Sequence, residues 1–543
     1  MDRNAKFRGA DLVAATLQDQ GVRFVFTLSG NHIMPVFDAL LETDIKLVHV
    51  RHEAACVHMA DAWGRLTGEP GIALVTGGQG HSNAVAGLYT ALAAESPMVL
   101  LSGHAPLKEL GRGSFQEMPQ ADLARPVAKA SWTAQSAETL GEDIARAMTI
   151  AKSGRPGPVH VSLPSDLLER TVSPDAPRTA AGIAPKPLAP NPASTALARI
   201  GSAKSPLLVC GPSFCNRHGR DRMRKAADAL NVPVVAMESP RGINDPGLGA
   251  FAEVLAQADL VVLVGKPLDF MLKFGEAPAL SASCEWIVFD PDSAMIARAD
   301  KAFGDRLVAS GIADAAAALE TLIQNARAVP PSGWRRKVEE ALLFVPPQWA
   351  SLRSAAAGHL HPAEMCAVVR DFLAEHPEAV FVSDGGEIGQ WAQALAKPAH
   401  RLINGVAGTI GVALPFSIAA KLARPQHPVV AVLGDGTFGF HMAEFDTAVR
   451  YGIPIIAVIG NDSRWNAEYQ IQLRQYGANR ARNCELLPSS YERVVEALGG
   501  FGARATSAAE LRDALRRAHR SGKPACINVT IEGVAAPVIR QTS

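Results

Sequence analysis

VVAVLGDGTFGFHMAEFDTAVRYGIPIIAVIGND, residues 429–462, decides the fold. Two short apolar runs rich in β-branched residues, Val429–Leu433 and Ile455–Ile459, flank a helix-like segment, Met442–Tyr451. Runs of that length read as buried strands, and strand–helix–strand implies a parallel crossover. The first strand runs into Gly434-Asp435-Gly436 and the second into Gly460-Asn461-Asp462. Parallel neighbours would put Asp435 and Asp462 at adjoining carboxyl ends, where open α/β sheets bind ligands. The glycines let backbone N–H groups approach phosphate oxygens. Two oxygen ligands plus phosphate suit a hard cation such as Mg²⁺. Taken alone, Gly434-Asp435-Gly436 reads equally well as a strand-turn-helix with a capping Asp.

The same alternation extends in both directions. Val22–Leu28, Leu47–Val50, Ile72–Thr76 and Met98–Ser102 read as strands, and Gly9–Gln20 and His52–Thr67 as helices. Pro174–Ser194, rich in Pro and Ala, reads as a linker. A second block has strands at Leu207–Cys210, Val234–Met237, Leu260–Val264 and Trp286–Asp290. An irregular stretch from Pro330 to about His361 precedes a third, with a further strand at Ala379–Ser383. The expected class is α/β, with three doubly wound parallel-sheet domains at 1–173, 190–330 and 355–543. Whether the first and third share a fold stays open at this point.

Composition narrows the function. The 543 residues carry 53 Lys plus Arg and 53 Asp plus Glu, a net charge of +0. Without a basic excess, no nucleic-acid partner is expected. Near-zero charge offers little resistance to self-association. Seven Cys, an odd number with no CxxC pair, fit reduced thiols and a cytoplasmic location better than a disulfide frame or zinc site. The N-terminus lacks the apolar core of a signal peptide. No stretch of about 18 apolar residues lacks charge, so no membrane span is expected.

Other segments hold chemistry-bearing residues. Leu47–Ala55, LVHVRHEAA, places Glu53 at the start of a helix, where a first-turn glutamate favours the helix dipole. Thr76-Gly77-Gly78-Gln79-Gly80, with Asn83, follows a strand, as does Asp384-Gly385-Gly386-Glu387. Asn404–Val412 reads NGVAGTIGV.

Together these motifs resemble the signature of thiamine-diphosphate enzymes, in which GDG is followed about 27 residues later by Asn-Asn. Here Asp462 lies 27 residues after Asp435 (462 − 435). The resemblance covers nearly the whole chain and implies pyrimidine-binding, middle and diphosphate-binding domains. It implies that Asp435 and Asp462 bind Mg²⁺ by side chain, and Arg464 by its backbone carbonyl. Asp462 stands where the family usually has Asn, which adds a negative charge beside the diphosphate. Glu53 would be the activating glutamate, a buried carboxyl with a raised pKa that shares a proton with the aminopyrimidine ring. Asn83 and the Gly-rich turn would lie beside the pyrimidine. Gly386, Glu387, Gly436 and Thr437 would face the diphosphate. Gly408 would offer its carbonyl to the aminopyrimidine, and Ile410 would be the wedge that bends the cofactor; Ile410 reads equally as a core aliphatic. In such proteins the activating glutamate faces the metal site of another chain, so a homodimer or homotetramer is expected.

Three subgroups compete. Benzaldehyde lyase has a catalytic His after the first strand and a Gln in the pyrimidine domain, matched here by His32 and Gln116. The Tyr469–Arg480 and Gly522–Val529 segments also resemble it. However, Ser29, Ser165 and Gly389 stand where that enzyme has His, Trp and Tyr. Phe115-Gln116-Glu117, Leu268–Gly275 and Leu486–Gly500 resemble 2-hydroxyacyl-CoA lyase and oxalyl-CoA decarboxylase, whose C-terminal cover over CoA looks short or absent here. Acetolactate synthase binds FAD through Arg-Phe-Asp-Asp-Arg. Gly265–Phe270 lacks that segment, so no FAD is expected. The implied reaction starts with an ylide generated by Glu53. The ylide adds to a small carbonyl substrate (a 2-hydroxy ketone, 2-keto acid or aldehyde), and C–C cleavage then leaves an enamine. His32 and Gln116 would orient the substrate and relay protons.

Overall fold

The computed structural model describes residues 6–326 and 333–541. Among them are three parallel sheets. The first contains β1 (Phe24–Thr27), β2 (Lys46–His49), β3 (Gly71–Val75), β4 (Met98–His104), β5 (Ala130–Thr133) and β6 (Pro158–Pro164). The second contains β7 (Pro206–Cys210), β8 (Val234–Ala236), β9 (Leu260–Val264), β10 (Glu285–Asp290) and β11 (Leu307–Ile312). The third contains β12 (Val380–Ser383), β13 (His400–Ile403), β14 (Val429–Gly434), β15 (Ile456–Asn461), β16 (Phe501–Ala505) and β17 (Ala525–Thr530). Apolar runs such as Gly71–Val75 are buried at every position, as expected of a parallel sheet covered by helices on both faces.

Strand order answers the question left open by the sequence. The first sheet runs β2-β1-β3-β4-β6-β5 and the third β13-β12-β14-β15-β17-β16, the same winding. The second runs β11-β10-β9-β7-β8. In each sheet the order reverses at a switch point: β1/β3, β7/β9 and β12/β14. Crevices at such points bind ligands. The Gly-rich turns follow β3 and β14, and Asp384-Gly385-Gly386 follows β12.

The chain divides into two compact units, residues 6–184 with 418–423 and residues 185–417 with 424–541. In the first, Leu12, Val13, Leu17, Val25, Leu74 and Leu101 belong to one core. In the second, separate cores fill the faces of the second and third sheets.

Three local expectations need correction. The helix expected at Met442–Tyr451 is the second of two, Asp435–His441 and Glu444–Arg450, the earlier one not having been expected. The first begins on Asp435, with Gly434 extended as its N-cap. The stretch read as irregular from Pro330 contains a helix, Gly333–Leu343, while residues 330–332 lie outside the described residues. Trp334, Val338 and Ala341, at helical spacing, pack into the core of the second sheet. The linker ends sooner than expected, because Pro190 opens the helix Pro190–Ser202, where a missing N–H costs nothing. Among the described residues no helix is long and apolar enough to cross a membrane.

Candidate active site

In the first unit, β2 delivers Glu53 to the first turn of the helix Glu53–Thr67. The His52 side chain caps that helix by accepting from the Ala54 N–H at 3.1 Å. Glu53 is half-buried rather than buried. Its Oε2 accepts from Asn83 Nδ2 at 3.0 Å, and Asn83 Oδ1 accepts from Gln79 Nε2 at 3.0 Å. A Cβ added at Gly80 would sit 3.4 Å from Glu53 Oε1. The structure therefore brings Glu53, Asn83 and the Gly-rich turn together at the N-terminus of the helix Gln79–Ala93.

His32 and Gln116 approach the same turn. His32 Nδ1 lies 3.2 Å from Thr76 Oγ1, and its ring stacks near Phe115, centroids 6.2 Å apart. Burial pushes His32 down from the ordinary imidazole value, favouring the neutral ring. Gln116 holds φ at +58°, left-handed and unusual for a side-chain-bearing residue. A Cβ at Gly78 would fall 2.6 Å from that of Gln116, so residue 78 has no room for one.

Gln120 was missed by sequence reasoning. Its Oε1 accepts from the Gly78 N–H at 2.8 Å, and its Nε2 donates to Gly103 O at 3.0 Å and Ser162 Oγ at 3.1 Å. It ties the Gly-rich turn to β4 and β6, and nothing in its local sequence announces this. Behind it lie two buried histidines. His81 Nδ1 meets Ser102 Oγ at 2.8 Å, His160 Nδ1 meets Ser131 Oγ at 2.9 Å, and the rings are 4.5 Å apart. Burial lowers His81 to about 4.

In the second unit, β14 and β15 are parallel neighbours with Gly434 opposite Gly460. Asp435 and Asp462 follow at adjoining ends, as the spacing implied. Burial pushes Asp435 up to about 6; burial and then the charge of Asp435 push Asp462 up to about 7. Backbone N–H groups at Gly436, Ser463 and Arg464 pull Asp435 the other way. Asp435 Oδ2 is buried without a hydrogen-bond partner among the described residues. Arg464 lays its guanidinium over Tyr469 at 4.5 Å. Thr437 Oγ1 donates to Gly434 O at 3.0 Å. Trp465, also missed, packs on Gly436; a Cβ there would come within 2.7 Å of the indole.

The neighbouring loops complete this end. Gly386 opens the ten-residue helix Gly386–Leu395 with φ at +79°, and nothing lies within 4 Å of where its Cβ would be. Open space at a helix N-terminus suits a phosphate. Glu387 is raised chiefly by burial, and its Oε2 accepts from Gln390 Nε2 at 2.8 Å. Ile410 is half-buried, and its Cγ2 would lie 2.8 Å from a Cβ on Gly385. Gly408 has φ at +67°. Asp384, another residue not anticipated, accepts from Gly385 N at 2.7 Å and Ala413 N at 3.1 Å, joining the two loops.

This donor set fits a divalent cation bound together with a diphosphate. Asp435 is buried and Asp462 half-buried, the charge of Asp435 raises Asp462, and one Asp435 oxygen lacks a partner among the described residues. No group of three or more His, Cys, Asp or Glu side chains that could hold an ion exists among the described residues. Remaining ligands would have to come from backbone and phosphate oxygens, as Mg²⁺ commonly accepts.

Comparison with known proteins agrees with this geometry. Residues 7–123 match the N-terminal TPP binding domain of thiamine pyrophosphate enzymes, 193–322 the central domain and 384–529 the C-terminal TPP binding domain. A protein named probable acetolactate synthase from Mycobacterium bovis is 33% identical over 541 residues, 97% of this chain and 96% of the relative. The chain belongs to the thiamine-pyrophosphate-dependent enzymes. Human 2-hydroxyacyl-CoA lyase 2 is 30% identical over 584 residues, covering 98% of this chain and 91% of the relative. Acetolactate synthase of Bacillus subtilis is 30% identical over 551 residues, covering 97% and 94%. The three sheets correspond to the three domains of the family, and the chain is a thiamine-diphosphate-dependent lyase or carboligase.

Proposed function

We propose that this enzyme uses thiamine diphosphate with Mg²⁺ to break or form the C–C bond beside the carbonyl of a 2-hydroxy ketone, 2-keto acid or aldehyde. The observation that carries the reading is Glu53, whose carboxylate is held by the neutral amide of Asn83 at 3.0 Å and by no cation among the described residues. Such a carboxylate can take and return a proton. When bound, the cofactor supplies a carbon acid whose anion adds to carbonyls and then accepts an electron pair.

The chain's own residues do the rest. Glu53 would exchange a proton with the cofactor's pyrimidine ring, using Oε1 while Oε2 is held by Asn83. Asp435, Asp462 and the Arg464 carbonyl would hold Mg²⁺. Gly386, Gly436 and Thr437 face the diphosphate. Glu387, whose carboxyl burial pushes upward, would bind the cofactor at the edge of that site. The Gly408 carbonyl would accept from the cofactor's pyrimidine amine, and Ile410 would pack against the bound cofactor. Neutral His32 relays a proton through Thr76 Oγ1, and Gln116 orients the substrate. The domains are taken as 1–173, 190–330 and 355–543. Self-association as a homodimer or homotetramer, and a cytoplasmic location, complete the reading. The latter is supported by the seven cysteines, none of which forms a disulfide among the described residues.

A second reading, cleavage of 2-hydroxyacyl-CoA, is supported by relatives bearing that name. Two measurements test these readings. Glu53→Gln should retain cofactor binding while turnover falls by about 10²–10⁴-fold; full activity would sink the mechanism. Turnover of pyruvate, benzoin and a 2-hydroxyacyl-CoA should be compared in parallel. Benzoin cleavage without CoA-ester turnover supports the first reading, and CoA-ester turnover alone replaces it with the second.

A further inference from the structure

The loop Asn404–Val412 follows β13, a four-residue strand at the edge of its sheet, bonded to β12 on one side only. A short edge strand is a weak root for a loop that must hold Gly408 and Ile410 in place. One of its side chains reaches the segment that follows β8. Arg401, in β13, donates from Nε to Glu238 Oε1 at 2.7 Å, and a second guanidinium nitrogen lies 4.0 Å from Asp245 Oδ2. Both carboxylates are buried, Asp245 to 1% exposure. The backbone at Gly247 covers the guanidinium; a Cβ there would meet it at 2.7 Å. Asp245 Oδ1 is fixed by the Gly247 N–H at 2.8 Å. Arg220 adds a second tie, donating to the carbonyl oxygens of Cys215 and of Ala399 just before β13.

The same segment reaches the tip of the loop. Pro240, two residues after Glu238, would lie 3.7 Å from a Cβ on Gly408. Val406 packs against the core of the second sheet. Residues 238–247 therefore grip the loop at its root through Arg401 and touch it at Gly408. A buried ion pair is a poor source of net stability but holds geometry well, because its partners have no other place to go.

We propose that Arg401, clamped by Glu238 and Asp245, is a positioning residue that sets Gly408 and Ile410, and with them the conformation in which the cofactor is held. This rests on the roles given to Gly408 and Ile410 above. Misplacing a reacting group by about 1 Å costs up to about 100-fold, so the effect is kinetic.

The test uses full-length protein carrying Glu238→Gln, which keeps shape and an acceptor oxygen, and Arg401→Lys. Arg335→Gln, which breaks the Arg335–Asp228 pair of 2.8 Å away from the loop, is the control. Three quantities are read: thermal midpoint, thiamine diphosphate affinity from tryptophan fluorescence, and the rate at which the reactive carbon of the bound cofactor exchanges its proton for deuterium. The expected result is an exchange rate and a kcat lowered at least about 10-fold in both clamp variants, with KM little changed and the control at the wild-type rate. Wild-type exchange and affinity in folded Glu238→Gln protein, whatever its thermal midpoint, would overturn the inference. If Glu53→Gln also exchanges at the wild-type rate, the cofactor reading itself has failed. If only Glu53→Gln is slow, the clamp is structural.

Discussion

Replacing Asp462 by Asn should make the metal-free protein more stable at alkaline pH. In the native chain, burial and the neighbouring Asp435 push the Asp462 carboxyl from 3.8 to about 7. The unfolded chain releases that proton near 3.8, while the folded chain keeps it to about 7. This contribution is favourable at low pH, is lost as pH rises from about 4 to about 7, and stays lost above. Moving one carboxyl that far costs about 4 kcal/mol. Asn carries no proton to lose, so Asp462→Asn should keep only the shallower slope of Asp435, whose carboxyl sits at about 6. The assay is scanning calorimetry in chelator and without cofactor, at pH 4 and pH 8. The two proteins should be closely matched at pH 4. At pH 8 the variant should unfold on the order of 10 °C higher, for a domain of this size. Adding Mg²⁺ should stabilise the wild type more than the variant. Parallel pH curves, or a variant less stable than wild type at pH 8 in chelator, would refute the argument.

Two further outcomes follow from particular contacts. Gly436→Ala would ordinarily help a helix, but its Cβ would come within 2.7 Å of the Trp465 indole; a loss of about 1–3 kcal/mol by overpacking and a changed tryptophan emission are expected, and an unchanged denaturation midpoint would contradict the packing. His81 titrates in the opposite sense to Asp462: the unfolded ring takes a proton near 6.5 while the buried ring stays neutral to about 4, so about 3 kcal/mol present above pH 6.5 is lost as pH falls to 4. His81→Asn should flatten the acid limb of stability against pH, and an unaltered limb would mean that the ring is not neutral in the fold.

Local patterning settled a large part of this molecule. Apolar runs such as Leu260–Val264 and Ile455–Ile459, short and rich in β-branched residues, read as strands in a sheet covered on both sides, so strand positions and the α/β class were legible. The two aspartates were legible for the same reason. Each lies just beyond a strand, and β14 and β15 are consecutive across one crossover, an arrangement in which strands commonly become neighbours, as these do. What failed locally had an identifiable cause. The helix at Gly333–Leu343 lies in a stretch that begins among prolines, and its apolar face makes sense only once the core of the second sheet is there to receive it.

The sequence by itself therefore determined the class, the motifs and the family, because these depend on residues close together or at fixed spacing. Only the tertiary structure decided that the first and third sheets share one winding, that Gln120 holds a glycine 42 residues earlier, and that Arg401 is clamped by a glutamate 163 residues before it. Glutamine at the start of a five-residue helix and arginine in a short strand carry no periodicity that betrays such partners. Their roles arise where distant segments cross, and that is fixed by how the sheets wind and pack rather than by any local pattern.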